Sequence, residues 1–395
     1  MKTSIDNKKL IVLGLSLSAV IVLLITTIVL MVINNKNDSN TSYYQEESKG
    51  SDSTVSNSDE SLEASDVFNE SNESFESNES EDIPEEPFHG WIINDYGYTY
   101  VYNNCGYEQF NYKNAALNRY VNSINSLADK MPKNTRFFNI TVPVSSTFVS
   151  IPKDIYVNDN FYNQSQSAFV STVESKLNSN VISVPIVNEL EAMYDNGDYV
   201  YFKTDKNWTS IGAHRAYLKY CENAALNGFS LSSFDRIDVG LYLGSFYTAT
   251  ELDTMFENPD EFICYSTIPT IKTALSVINY GIVYNNYTLC NNPISLTTAY
   301  DFYLGTQASK YEVSTNSGGG ALLIISDSSS YPMIPFLASH YSKIDIIDPI
   351  KSNDSIDNIL ASKDYDDCIL MCYSTNAISG EFIPELNKLV GGNNG

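Results

Sequence analysis

The chain has 395 residues, 43 % hydrophobic and 12 % aromatic, with 29 tyrosines and a formal net charge of −25. That is enough apolar material for one large domain or two smaller ones. The acidity, with only 4 arginines among 23 basic residues, argues against nucleic acid as a partner, because phosphate binding needs clustered Lys and Arg.

Residues 1–9 form a short cytoplasmic tip. Leu10 to Ile33 follows as 24 residues without a charge, which as a helix span about 36 Å, enough for the hydrocarbon core of a bilayer. Lys2, Lys8 and Lys9 precede it and Lys36 alone follows closely. The positive-inside rule therefore predicts a single-pass signal anchor at the cell membrane, with everything after residue 33 outside the cell. The lipid bilayer is thus an expected partner through residues 10–33. Residues 34–87 change to Ser, Asn, Glu and Asp, with 16 acidic residues against the single Lys49 from residue 38 onward. So little apolar surface cannot offset chain entropy, and a disordered, extended stalk is expected.

The remaining net charge of −13 belongs to residues 88–395, the extracytoplasmic domain. Trp91 to Tyr102 reads as a hairpin. Lys113 to Met131 carries Ala116, Tyr120, Ile124 and Leu127 at helical spacing, and Phe137 to Val142 is a buried strand. Ala168 to Leu177 reads as helix, Val181 to Val187 as strand, Leu190 to Tyr194 as a short helix and Tyr199 to Lys203 as strand. Ser210 to Leu226 is a long helix. The stretch 229–318, rich in Tyr, Asn and Thr, looks like a β-rich insertion. Ala321 to Ile325, Ile344 to Ile347 and Cys368 to Cys372 read as strands, with helices at Tyr331 to Tyr341 and Asp357 to Ser362 between them. Unalternating apolar strands separated by helices predict an α/β fold with a mostly parallel sheet flanked by helices, its functional groups at the carboxyl ends of strands.

The six cysteines, Cys105, Cys221, Cys264, Cys290, Cys368 and Cys372, include no Cys-x-x-Cys pair and have no histidine at ligand spacing. No metal and no cofactor is expected. Outside the membrane they could form disulfides, but buried free thiols are the favoured reading in a chain too large to need staples.

Two stretches could carry chemistry. In Thr204-Asp205-Lys206-Asn207-Trp208-Thr209 a strand ends and a helix starts behind a Thr or Ser cap. In Leu322-Leu323-Ile324-Ile325-Ser326-Asp327-Ser328 an apolar strand runs into Asp-Ser, where a helix N-terminus could stabilise an oxyanion. Each alone has an ordinary reading, with Asp205 and Asp327 as capping residues and Ser328 to Ser330 as turn residues. Together they resemble the DHHW family of surface proteins, in the SGNH hydrolase superfamily and related to alginate O-acetyltransferases. The family signature Thr-Asp-His-His-Trp-Thr appears here as Thr204 to Thr209, followed by Gly212-Ala213. The second block matches Asp327-Ser328, Pro335-Phe336-Leu337, His340-Tyr341 and Asp348-Pro349. Leu243-Gly244-Ser245-Phe246-Tyr247 and Val142-Pro143-Val144-Ser145-Ser146 resemble two further family stretches.

The resemblance implies an SGNH-like sheet and a catalytic triad in which Ser328 attacks an ester and Asp205 orients a histidine. Asn207 stands where that histidine belongs, and a carboxamide has no basic nitrogen to take a proton near pH 7. Lys206 replaces the other His, and Ile350 stands where an oxyanion-supporting Arg is common. Asp327, Trp208 and Lys206 are read as binding positions. None of His89, His214 and His340 is spaced to substitute as the base. The reading that follows is a catalytically impaired domain that binds or scaffolds cell-surface polysaccharide. The alternative is a working O-acyltransferase or esterase on such a polysaccharide, using Ser328 with a non-standard base. Whether the chain is an enzyme stays open at this point.

Overall fold

A computed structural model describes residues 88–391 except 96 and 293. The predicted anchor at 10–33 and stalk at 34–87 lie outside the described residues, and among the described residues no helix is long and apolar enough to cross a membrane.

The strands in chain order are β1 (Gly90–Asn94), β2 (Gly97–Tyr102), β3 (Cys105–Tyr107), β4 (Arg136–Val142), β5 (Val181–Ser183), β6 (Arg236–Tyr242), β7 (Asp260–Tyr265), β8 (Thr273–Asn279), β9 (Ile282–Tyr284), β10 (Lys310–Thr315), β11 (Ala321–Ser326), β12 (Lys343–Ile347) and β13 (Asp367–Tyr373). Eight of them form one sheet in the order β5-β4-β13-β11-β12-β10-β8-β9. The five from β5 to β12 pair in parallel, and β10, β8 and β9 continue the sheet antiparallel. The fold is therefore mixed α/β with a mostly parallel main sheet, as the apolar runs predict. Strand β13 is buried at every residue and β11 at all but its first. That is the mark of central strands covered on both faces.

The helix Asn114–Lys130 buries Leu117, Tyr120, Val121, Ile124 and Leu127, one stripe at helical spacing, and packs against Ser374–Ile378 and Phe382–Val390. The helix Ser210–Ala224 packs against the turn that follows β11. The neighbouring strands β4 and β13 are also pinned by charge, since Arg136 Nε and Nη2 donate to Asp367 Oδ1 and Oδ2 at 2.6 and 2.8 Å, a bidentate geometry.

Several local expectations change. Tyr199 to Lys203 makes a single bridge, Tyr201 to Trp208, instead of a strand, because the chain doubles back at once and Thr209 N–H donates to Val200 O at 2.9 Å. The strand at Val181 ends at Ser183, and helix begins at Val187; Pro185 between them has no N–H for the ladder. The helix expected at Tyr331 to Tyr341 is a 3-10 turn, Ser328–Met333, and then one α-turn, Ile334–Leu337. Pro332 and Pro335 remove donors there. The helices Ser374–Ile378 and Phe382–Val390 had no counterpart in the sequence reading. The stretch 229–318 does add strands, but β8, β9 and β10 lengthen the main sheet, and only β6 and β7 form a separate pair. The cysteines are free thiols, Cys105 half-buried and the other five buried.

Candidate functional site

Asp260, fully buried at the start of β7, builds the first loop of the site. Its carboxylate accepts the backbone N–H groups of Lys203 and Thr204, both at 2.8 Å, and the hydroxyls of Thr204 and Tyr199. Held this way, the chain turns at Thr204 and presents Asp205, which is 2 % exposed. Asp205 Oδ1 accepts the Asn207 N–H at 2.7 Å, while Oδ2 accepts the Tyr242 hydroxyl at 2.7 Å and the Ser245 N–H at 2.6 Å. Asp205 thus orders the loop through its backbone. Gly244 lies against it so closely that a Cβ there would sit 2.1 Å from Asp205 Cβ. The Gly244-Ser245 stretch is a lid on the aspartate.

The second loop leaves β11 at Ser326. Asp327 is buried and caps the turn, with Oδ1 accepting the Ser329 N–H at 2.9 Å. Its Oδ2 accepts the Tyr373 N–H at 3.0 Å and Asn376 Nδ2 at 2.6 Å, which ties the carboxyl ends of β11 and β13 together. Trp208 joins the two loops. Its ring N–H donates to Ser329 O at 2.9 Å, and its backbone N–H donates to the Tyr373 hydroxyl at 3.2 Å.

Between the loops Ser328 Oγ donates to Asn207 Oδ1 at 3.4 Å, a long contact. Ser328 is half-buried, Asn207 buried and Lys206 exposed. The structure therefore brings Ser328, Asn207 and Asp205 together, with Lys206 at the rim. Trp208 and Asp327, read from sequence as binding positions, are placed otherwise. Trp208 is 0 % exposed, so its ring is a packing element that cannot stack on a ligand. The Asp327 carboxylate is already occupied by three donors.

All three histidines have other partners. His89 Nδ1 meets Asp159 Oδ2 at 3.0 Å, His214 Nε2 meets Phe229 O at 2.9 Å and His340 Nε2 meets the Tyr217 hydroxyl at 2.7 Å. Burial lowers the pKa of His214 and His340. Among the described residues no group of three or more His, Cys, Asp or Glu side chains converges as metal ligands do.

One charged neighbour escaped sequence reasoning. Glu108, half-buried just after β3, has a carboxyl pushed above the usual carboxylate range by burial. Lys206 opposes that shift, the Asp205 and Asp327 carboxylates add to it, and a hydrogen bond with Thr375 works against it. No motif surrounds Glu108, and its place beside the site comes from the fold. Burial likewise raises the phenol pKa of Tyr242, Tyr300 and Tyr373 around the loops, so these hydroxyls stay neutral.

The model of the DHHW protein family matches residues 32–347. A DHHW family protein from Eubacterium siraeum has a similar structure, with a TM-score of 0.65 and 20 % identity, over 75 % of this chain and 97 % of that one. PatB1 from Bacillus cereus, in a structure with a sulfonyl adduct, has a TM-score of 0.58 and 14 % identity, over 75 % of this chain and 99 % of that one. A second PatB1 structure gives 0.57 and 16 %, with the same coverage. At such identities the likeness is one of fold. No curated protein matches the chain.

Proposed function

The chain belongs to the DHHW protein family, and from that premise we propose that it is a membrane-anchored, extracytoplasmic SGNH-like domain, catalytically impaired, that binds or scaffolds cell-surface polysaccharide. Residues 10–33 anchor it with the N-terminus in the cytoplasm, residues 34–87 act as an acidic spacer, and residues 88–395 are the working domain.

The observation that carries the reading is the contact between Ser328 Oγ and Asn207 Oδ1. A serine hydroxyl becomes a useful nucleophile at neutral pH when a neighbour can take its proton. Here the neighbour is an amide oxygen, which can accept a hydrogen bond but not a proton near pH 7. Asp205 is engaged by Asn207 N–H, Tyr242 and Ser245, and the three imidazoles are held elsewhere. What remains is a pair of polar side chains, Ser328 and Asn207, with an exposed ammonium at Lys206, groups suited to holding hydroxylated ligands.

The competing reading, an active O-acyltransferase or esterase on such a polysaccharide, gains support from Glu108, a carboxyl near Asp205, Asp327 and Lys206 whose pKa burial raises. Hydrolysis of an acetyl ester by the purified full-length protein separates the two. The expected result is no turnover above background. Turnover that disappears in Ser328→Ala would establish the enzyme and overturn the impaired site.

A further inference from the structure

Strands β1 and β2 pair Trp91 with Tyr100 and Ile93 with Tyr98. Residues two apart on a strand share a face, so these four side chains form one continuous apolar patch. Its two ends are treated differently. At the inner end Tyr100 stacks on Phe161 with ring centroids 3.9 Å apart, and Trp91 packs edge-on against both. At the outer end Ile93 and Tyr98 are 64 % and 72 % exposed.

Trp91, Ile93 and Tyr98 of the patch line an open cavity of about 550 Å³, together with the polar Glu108, Gln109, Asn160 and Thr375 and the apolar Ile378. Gln109 is held there, its Nε2 donating to Asn160 O at 3.1 Å. The cavity adjoins the serine site through two connections. Thr375 lies between Tyr373 and Asn376, both of which donate to Asp327. Glu108 lies close enough to Asp205, Asp327 and Lys206 for their charges to act on it.

Ring faces beside a carboxyl and amides match a pyranose, which offers an apolar C–H face for stacking and equatorial hydroxyls for hydrogen bonds. Charge narrows the choice. Glu108 is the charged side chain among those lining the cavity, in a domain of net charge −13, so a polyanion entering the cavity meets repulsion. We infer that the cavity between the β1–β2 hairpin and Thr375 is a saccharide subsite next to Ser328, built for a neutral sugar unit and not for a uronate. The inference rests on the polysaccharide reading above and adds its place and its ligand class.

Calorimetric titration of the detergent-solubilised full chain tests it, with oligomers of N-acetylglucosamine, glucose and mannose as neutral probes and oligoglucuronate as the anionic one. At least one neutral oligomer should bind and oligoglucuronate should not. Tyr98→Ala and Glu108→Gln should each weaken that binding about tenfold. The exposure of Tyr98 makes its truncation harmless to folding, and an unaltered melting temperature verifies this. Neutral binding that ignores both substitutions overturns the subsite but leaves the polysaccharide reading standing. Equal or tighter binding of oligoglucuronate overturns the ligand class. Failure of every oligomer to bind overturns the subsite and the polysaccharide reading together.

Discussion

The frame beneath the two loops and the groups at their tips differ in kind. Asp260, Asp205, Asp327 and Trp208 are buried, and each is held by several hydrogen bonds. At the tips Lys206 is exposed, and Ser328 and Asn207 share one long contact. The frame holds Ser328 Oγ against the side-chain amide oxygen of Asn207, and an amide offers the serine no basic nitrogen. Buried polar groups are costly to disturb because each donor left behind is stranded without water. Lys206 is exposed and Ser328 half-buried, so substitution at either leaves the frame intact. A site can therefore keep its architecture while its reactivity changes.

The largest expected effect comes from restoring the tip. Asn207→His should raise acetyl-ester hydrolysis by about 10² to 10⁴ over the wild-type chain, the usual contribution of a positioned base, and adding Ser328→Ala should abolish the gain. No gain in a well-folded Asn207→His protein would mean that the frame, too, has lost its catalytic geometry. Next is the frame itself. Asp260→Ala strands the donors of Lys203, Thr204 and Tyr199 and should cost about 3 kcal/mol in urea unfolding. A loss below ~0.5 kcal/mol would show that the loop does not depend on this carboxylate. Gly244→Ala places a methyl against Asp205 and should cost about 1–3 kcal/mol as an overpacked contact; the same denaturant midpoint as wild type would show that the lid yields freely.

The smallest effect concerns Glu108 and pH. Its folded-state pKa is raised, so the charged form disfavours the folded state once pH rises through that value, and the penalty is absent where the carboxyl is protonated in both states. Glu108→Gln should therefore be more stable than wild type at neutral pH. The difference should vanish as pH falls below the ordinary carboxylate value of about 4.3. Melting curves of the two proteins from pH 4 to 8 measure it, and a difference independent of pH would remove burial as the cause.

The central strands β4, β11, β12 and β13 were legible because each is a run of apolar residues that makes sense only when covered on both faces. The helices Asn114–Lys130 and Ser210–Ala224 were legible because their apolar positions recur at helical spacing. Elements shaped by proline and by side-chain capture were not: Pro332 and Pro335 break the helix after Ser328, and the loop after Tyr201 is held by the distant Asp260 carboxylate. At the site, Asp205, Asn207 and Ser328 were legible because each sits in a contiguous motif. Asp260 and Glu108 have no local signature; their importance comes from where β7 and β3 bring them. Gly244 belonged to a recognisable stretch, yet its purpose, close approach to Asp205, is a property of the folded loop.

By itself the sequence determined the chemical character of three groups at this site. The residue types at 205, 207 and 328 set what protons can be held there, and no packing can make an amide basic. Only the tertiary structure decided access. It buried the Trp208 ring that looked available for ligands, left Tyr98 uncovered, and brought Glu108 near Asp205, Asp327 and Lys206. Exposure and proximity depend on long-range packing, which a chain read one residue after another does not contain.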